Sequence, residues 1–250
     1  MKSPVRTILG LCAAVAFAAS IAPSLEAQSL DVTDRQNGMR LLGYGLFNEE
    51  GLEGTGAGFA YAIAGRLDVG FDAGMFYSDI EGTASEESRI NFLLRGLLAR
   101  QSEGFPVSLS LAFSYYLSRV QSDYLENRFD NYELLRDGRG YTISGGVWRD
   151  FHFSPAVAIR TGAGARLGWD RYTTALGSSP TESDLAGITE LQRYPTVDQD
   201  RTFTYEGSIG PVIRPGGGDY ALSALGTLRY SADGEMAGGV EVGVTFARQQ

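Results

Sequence analysis

The stretch PVSLSLAFSYYLSR, residues 106 to 119, alternates without a break. Val107, Leu109, Leu111, Phe113, Tyr115 and Leu117 interleave with Ser108, Ser110, Ala112, Ser114, Tyr116 and Ser118. Successive side chains of an extended chain point to opposite faces, so this pattern makes a strand with one apolar face and one face of small or polar groups. LDVGFDAGMFYS, residues 67 to 78, repeats it, with Leu67, Val69, Phe71, Ala73, Met75 and Tyr77 set against Asp68, Gly70, Asp72 and Gly74. Ten segments carry this period of two, near 39–48, 55–65, 67–78, 88–101, 106–118, 139–151, 156–171, 201–213, 219–231 and 235–247. A tilted strand needs about 9–11 residues to cross a bilayer, and these segments are of that order.

One segment competes with the pattern. In RINFLLRGLLARQ, residues 89 to 101, Ile90, Leu93, Leu94, Leu97 and Leu98 fall at helical spacing. Its omission would leave an odd number of strands and place a long connection on the wrong side, so it is read as the fourth strand. Strand counts of eight or twelve remain alternatives to ten.

The first 27 residues differ in kind. Lys2 and Arg6 precede an apolar run from Ile8 to Ala22, with a cleavage point after Ala27. That layout is a secretory signal peptide, and its apolar run is short for a spanning helix. Residues 28–36 then form a short periplasmic segment and 37–250 the strand-rich domain. Cys12 and Lys2 are the only cysteine and the only lysine, so both leave with the leader, which excludes disulfides and cysteine-ligated metals from the mature chain. Removal of Lys2, Arg6 and Glu26 leaves 19 cations against 29 acids, a balance that weighs against nucleic-acid partners, whose binding rests on cationic contacts to phosphate. No later run is long enough for a transmembrane helix.

The connections sort by length. Those after strands two, four, six and eight are short, around AGRL, SEGF, HFSP and PGGG, whereas those after strands one, three, five and seven are longer and acidic. The last hairpin turns at Asp233-Gly234, a favoured two-residue pair. An even strand number, short turns at one end and long loops at the other resemble the small bacterial outer-membrane β-barrel proteins. The resemblance spans residues 37 to 247 and is one of pattern. It implies a closed, antiparallel, up-and-down transmembrane β-barrel in the bacterial outer membrane, with lipid and lipopolysaccharide as surroundings. The final strand, GGVEVGVTFARQQ, resembles the terminal strand that barrel assembly machinery recognises in that class, with its aromatic, Phe246, displaced inward from the chain end.

The direction of the faces follows from cost. Arg40, Arg95, Arg160, Arg166 and Arg229 share the polar faces with Asp68, Asp72, Asp170, Glu206 and Glu241. An arginine at mid-depth against lipid costs about 2–4 kcal/mol, so these ten are assigned to the lumen and the apolar faces outward. Ten strands enclose a space only a little wider than the eight-strand size that side chains fill, so balanced charges there read as a plug. Tyr77, Trp148, Phe151, Trp169, Tyr172, Phe203, Tyr205 and Tyr230 are expected in the interfacial girdles. TESDLAGITELQ, within the loop 172–200, is expected to form a short outer helix capped by Thr181 or Ser183.

Catalytic chemistry has little material. His152 is the only histidine, and its spacing from Ser154 resembles the His-x-Ser motif of lipid A deacylases, whose pair is joined by a downstream glutamate. Here no acid lies between Ser154 and Asp170, Pro155 follows the serine, and the motif falls in an inner-side turn, away from lipid A in the outer leaflet. Acidic loop residues such as Glu49, Glu50, Glu53, Glu86, Glu87, Asp123, Glu126 and Asp130 match no calcium-loop spacing. The expectation is a monomeric, non-enzymatic barrel without cofactor or metal, with a plugged or narrow lumen and a structural or surface-interaction role. A porin-like passive channel and a lipid A-modifying enzyme are the alternatives. Expression in a Gram-negative host should yield a mature chain beginning at Gln28, read by N-terminal sequencing; an intact leader on the folded protein would contradict the assignment.

Overall fold

Asn37 stands opposite Arg248, and ten residues later Phe47 stands opposite Gly238, so the first strand pairs with the last and the sheet closes on itself. The computed structural model describes residues 36–48, 51–80, 83–122, 134–176, 196–215, 220–232, 234 and 236–248. The signal peptide, all but Gln36 of the segment 28–36, and the TESDLAGITELQ helix lie outside the described residues. Among those residues no helix is long and apolar enough to cross a membrane.

Ten antiparallel strands follow in chain order: β1 (Asn37–Asn48), β2 (Gly51–Ile63), β3 (Leu67–Ile80), β4 (Thr83–Ala99), β5 (Ser108–Ser122), β6 (Leu134–Ser154), β7 (Val157–Leu176), β8 (Thr196–Ile213), β9 (Tyr220–Ser231) and β10 (Met236–Arg248). Each pairs with its sequence neighbours, and the whole is an up-and-down closed barrel. Closure leaves no strand edge, so the wall's backbone donors and acceptors are satisfied within the ladder.

The short-connection end is tightly built. Ala64 and Gly65, with φ of 49° and 60°, make the two-residue turn between β2 and β3, and the amide of Arg66 donates to the Ile63 carbonyl at 3.0 Å. Positive φ at both central positions matches the right-handed twist of the flanking strands. A one-turn 3-10 helix, Gln101–Glu103, links β4 to β5 and ends on Gly104 at φ 91°. At the opposite end two pairs of strands extend further than the acidic composition suggests. The β1–β2 ladder runs up to Asn48↔Gly51 and the β3–β4 ladder to Ile80↔Thr83. Glu53, Glu86 and Glu87 are therefore strand residues, with Glu53 buried. Acids on both parities hid the alternation there.

The segment 89–101 is strand, and its leucines divide by face. Ile90, Phe92, Leu94 and Leu98 point outward and are exposed, whereas Leu97 is buried inside. A bulge between Leu97 and Ala99 shifts the register. Leu93 shares the inner-face parity of Leu97, and these two were enough to imitate a helical spacing.

The barrel is inverted relative to a soluble one. Leu41, Phe71, Phe92, Leu111, Ile143, Ile209, Leu228 and Val242 are exposed around the circumference, while arginines, carboxylates, serines and threonines fill the buried set. Apolar burial inside is small and local, as where Tyr44, Leu46 and Phe76 pack together with Leu42 beside them. Leu111→Arg separates a lipid-facing wall from a water-facing one. In phospholipid vesicles it should lower the unfolding free energy by about 2–4 kcal/mol, measured by urea titration; a change within about 0.5 kcal/mol, as on an ordinary wet surface, would contradict the outward apolar face.

Candidate functional site

All ten charged residues expected in the lumen are buried, from Asp68, fully enclosed, to Asp170 and Glu206 at 7 % exposure. The register brings them together in tiers. At the short-connection end Arg160 grips Asp150 with two guanidinium nitrogens, Nε to Oδ1 at 2.7 Å and Nη2 to Oδ2 at 2.9 Å. Arg214 donates to the same carboxylate at 3.1 Å. Gln101 clamps the backbone of Asp150 from both sides, its amide donating to the carbonyl at 3.0 Å and its oxygen accepting from the N–H at 2.8 Å. The β4–β5 connection is thereby tied to β6. Arg100 donates to the Gly65 carbonyl, and Arg66 pairs with Glu103, which joins the neighbouring turns.

The middle tier joins adjacent and next-adjacent strands along the inner wall. Arg229 donates to Glu206 Oε2 at 3.1 Å, and Arg166 lies 3.6 Å from the same oxygen, so one carboxylate serves two guanidinium groups from different strands. Arg40 donates to Glu241 at 2.6 Å and to Ser223 at 3.0 Å. Asp72 accepts from Asn91 at 2.8 Å and from the Tyr44 hydroxyl at 3.1 Å. Asp68 and Arg95 are direct cross-strand partners on β3 and β4.

Nearer the long-loop end the guanidinium of Arg89 lies over the ring of Tyr116 at 4.3 Å and that of Phe76 at 5.4 Å. It also donates to Glu87 at 2.7 Å and to the Tyr172 hydroxyl at 3.4 Å. Tyr116 in turn donates to Asp170 at 2.8 Å. Cation–π contact and a charged hydrogen bond act on the same arginine, which sits where four strands meet.

Arg89, Asp150 and Tyr44 belong to this interior and were not singled out from the sequence, whereas Tyr116 lies on the polar face read for β5. Arg89 shares the parity of Arg95, and Asp150 that of Thr142 and Ser144, so the signal was present in both. Asp150 was obscured by the assignment of Trp148 to a girdle. Trp148 is in fact buried, with its indole N–H donating to Ser110 at 3.3 Å. Its ring occupies the space beside Gly162, where any Cβ would collide with it. Tyr172 likewise turns inward, to Arg89. Of the remaining expected girdle residues, Tyr77, Phe151, Phe203, Tyr205 and Tyr230 are exposed on the outer wall, and Trp169 is half-buried there, stacked on Tyr141.

Inward aromatics and inward glycines are complementary. A Cβ on Gly74 would fall 2.6 Å from the Tyr44 hydroxyl, and one on Gly140 would meet Tyr116 and Asp170. A large ring on one strand lies over the bare backbone of the next, which fills the cross-section without overpacking.

His152 and Ser154 are both exposed, at a bulge where β6 turns into β7. The Ser154 hydroxyl accepts from the Ala156 amide at 3.3 Å, the role of a turn residue. Among the described residues no hydrogen bond joins His152 to Ser154, and no three histidines, cysteines or acids gather where they could hold one metal ion. Among the described residues the interior is chemically a set of cross-links, with carboxylates paired to arginine or hydrogen-bonded to tyrosine or asparagine.

No family model matches the sequence, and no curated protein is similar to it. Several solved structures are similar in shape at low identity. The translocator domain of the autotransporter NalP from Neisseria meningitidis is 12% identical, with 87% of this chain and 90% of that one covered at a TM-score of 0.47. LpxR from Salmonella typhimurium is 10% identical over 84% of this chain and 99% of its own, at 0.40. Ail, the attachment invasion locus protein of Yersinia pestis, is 10% identical over 86% of this chain and 99% of its own, at 0.37. Strand number and topology here are read from the chain's own register.

Glu206→Gln should leave Arg166 and Arg229 facing each other without their shared anion. Removing one member of a buried ion cluster costs about 3–5 kcal/mol, and equilibrium unfolding should register a loss of that order. His152→Ala should stay within about 0.5 kcal/mol in the same assay, as exposed sites do.

Proposed function

We propose that this protein is an integral β-barrel of the bacterial outer membrane whose lumen is closed by its own side chains, and that its role is structural or one of surface interaction, not catalysis. The apolar outer wall supports the membrane placement: side chains such as Phe92, Leu111 and Val242 would be exposed to water in any other setting. The observation that carries the closed lumen is the Arg89–Tyr172 hydrogen bond, which reaches across the interior from β4 to β7, with the Arg166–Glu206–Arg229 cluster lining the wall along the adjacent strands β7, β8 and β9. With Arg40–Glu241 beside it and the Arg89–Tyr116 stack beyond, the polar groups face one another and leave little reason for a wide aqueous path.

A porin-like channel would need these groups to line an open passage, and an enzyme would need a reactive pair at an accessible mouth. The interior groups are engaged in mutual hydrogen bonds, and His152 and Ser154 serve a turn. Conductance separates the first two readings. The purified full chain in planar bilayers should give no steady conductance, and the double variant Arg89→Ala/Tyr172→Ala, which removes the β4–β7 contact, should give measurable openings. Steady conductance by the unaltered protein would replace the closed reading with the channel.

A further inference from the structure

The long-loop end carries an outward cationic patch that the interior network does not use. Arg139 on β6 and Arg171 on β7 are direct cross-strand partners, both exposed. Like charges placed opposite each other destabilise a sheet pair, so this placement calls for an anion between them. Arg201 on β8 is exposed and stands opposite Trp169, one step toward the belt. Arg119 on β5 lies at the margin, paired with Asp137 at 3.1 Å. Among the described residues the side chains of Arg139, Arg171 and Arg201 form no ion pair. The concentration of cation is notable in a chain whose net charge is −9.

Beneath the guanidinium groups lies an aromatic floor. Tyr141 stacks on Trp169 with ring centroids 4.8 Å apart, and Phe113 stacks on Tyr141 at 6.3 Å. Arg139, Tyr141, Trp169, Arg171 and Arg201 line a surface hollow of about 760 Å³, which Asp170 and Asp200, of inner-face parity, also border, and a second of about 1170 Å³ shares Arg139 and Arg171 and includes Asp137, the partner of Arg119. Further down the same strands come Leu111, Ile143 and Phe203 of the apolar wall. A ligand suited to this surface is amphipathic along the strand direction: anionic oxygens at the arginines, a ring or sugar over the aromatics, and hydrocarbon below. Guanidinium groups match phosphate by paired hydrogen bonds.

We propose that Arg139, Arg171 and Arg201, with Arg119 at the margin, form an external site for the phosphate groups of an anionic glycolipid whose acyl chains lie along the apolar wall beneath. The site rests on the membrane placement given above. It commits to lipid as the source of phosphate because the patch is continuous with that wall.

The test uses the full chain folded into phosphatidylcholine vesicles doped with bis-phosphorylated lipid A or with its dephosphorylated form, followed by mild detergent extraction and native mass spectrometry. The unaltered protein should retain the phosphorylated lipid about tenfold more than the dephosphorylated one, as one or two charge-assisted hydrogen bonds would give. Arg139→Gln/Arg171→Gln should abolish that preference, and Arg149→Gln, on the opposite rim, should keep it. Equal retention of the two lipids by the unaltered protein, which needs no variant to fold, overturns the site. So does displacement of the lipid by millimolar inorganic phosphate, which would identify a free-anion site. Failure to insert into any vesicle would remove the membrane placement itself, whereas insertion without phosphate preference overturns only the lipid site.

Discussion

Everything else in the structure depends on the pairing of β1 with β10. Until Asn37 meets Arg248 the sheet has two open edges, each a row of unpaired amides and carbonyls flanked by apolar side chains. Such an edge is a liability in water and untenable in hydrocarbon. Closure satisfies the wall internally, and only then can Leu41, Phe92 and Leu228 face outward together around the whole circumference.

Closure also creates the interior that the charges need. The polar faces of ten strands converge on a space narrow enough for Arg89 on β4 to reach Tyr172 on β7 and for Tyr44 on β1 to reach Asp72 on β3. Burial of an ion is unfavourable unless partners satisfy it, so the tiers of arginine, carboxylate, tyrosine and asparagine act as a set. Glycines at 74, 140 and 162 let rings from neighbouring strands lie flat against the wall. The hydrophobic effect, which would organise a soluble core, contributes inside only local patches among the described residues, such as the Tyr44–Leu46–Phe76 cluster.

Legibility in the sequence varied with how cleanly the two faces differed. In β5 every second residue is serine, alanine or tyrosine, and both the strand and its inner face could be read directly. In β4 the inward Leu97 broke the contrast and imitated a helix, although Arg89 and Arg95 kept the correct parity. Trp148 misled for a different reason. A tryptophan near a strand end suits a lipid interface as well as a lumen, and composition cannot distinguish them. Gly162, on the adjacent strand, makes the room that decides the matter. The acids at 86 and 87 suggested loops because charge was taken as a mark of solvent, whereas Glu87 is held by Arg89.

The period of two, by itself, determined that the chain would be strands with one apolar and one polar face, and the number of such segments determined how many. It also placed ten charges on the polar side, because parity needs no knowledge of partners. Which carboxylate meets which arginine was decided only by the tertiary structure. Glu206 lies many residues from Arg166 in sequence, and their approach depends on the stagger of β7, β8 and β9 around a closed wall. The same holds on the outside, where Arg139 and Arg171 become neighbours only through the β6–β7 register. A local pattern sets the direction in which a side chain points, whereas distance between strands is a property of the register and closure of the whole sheet.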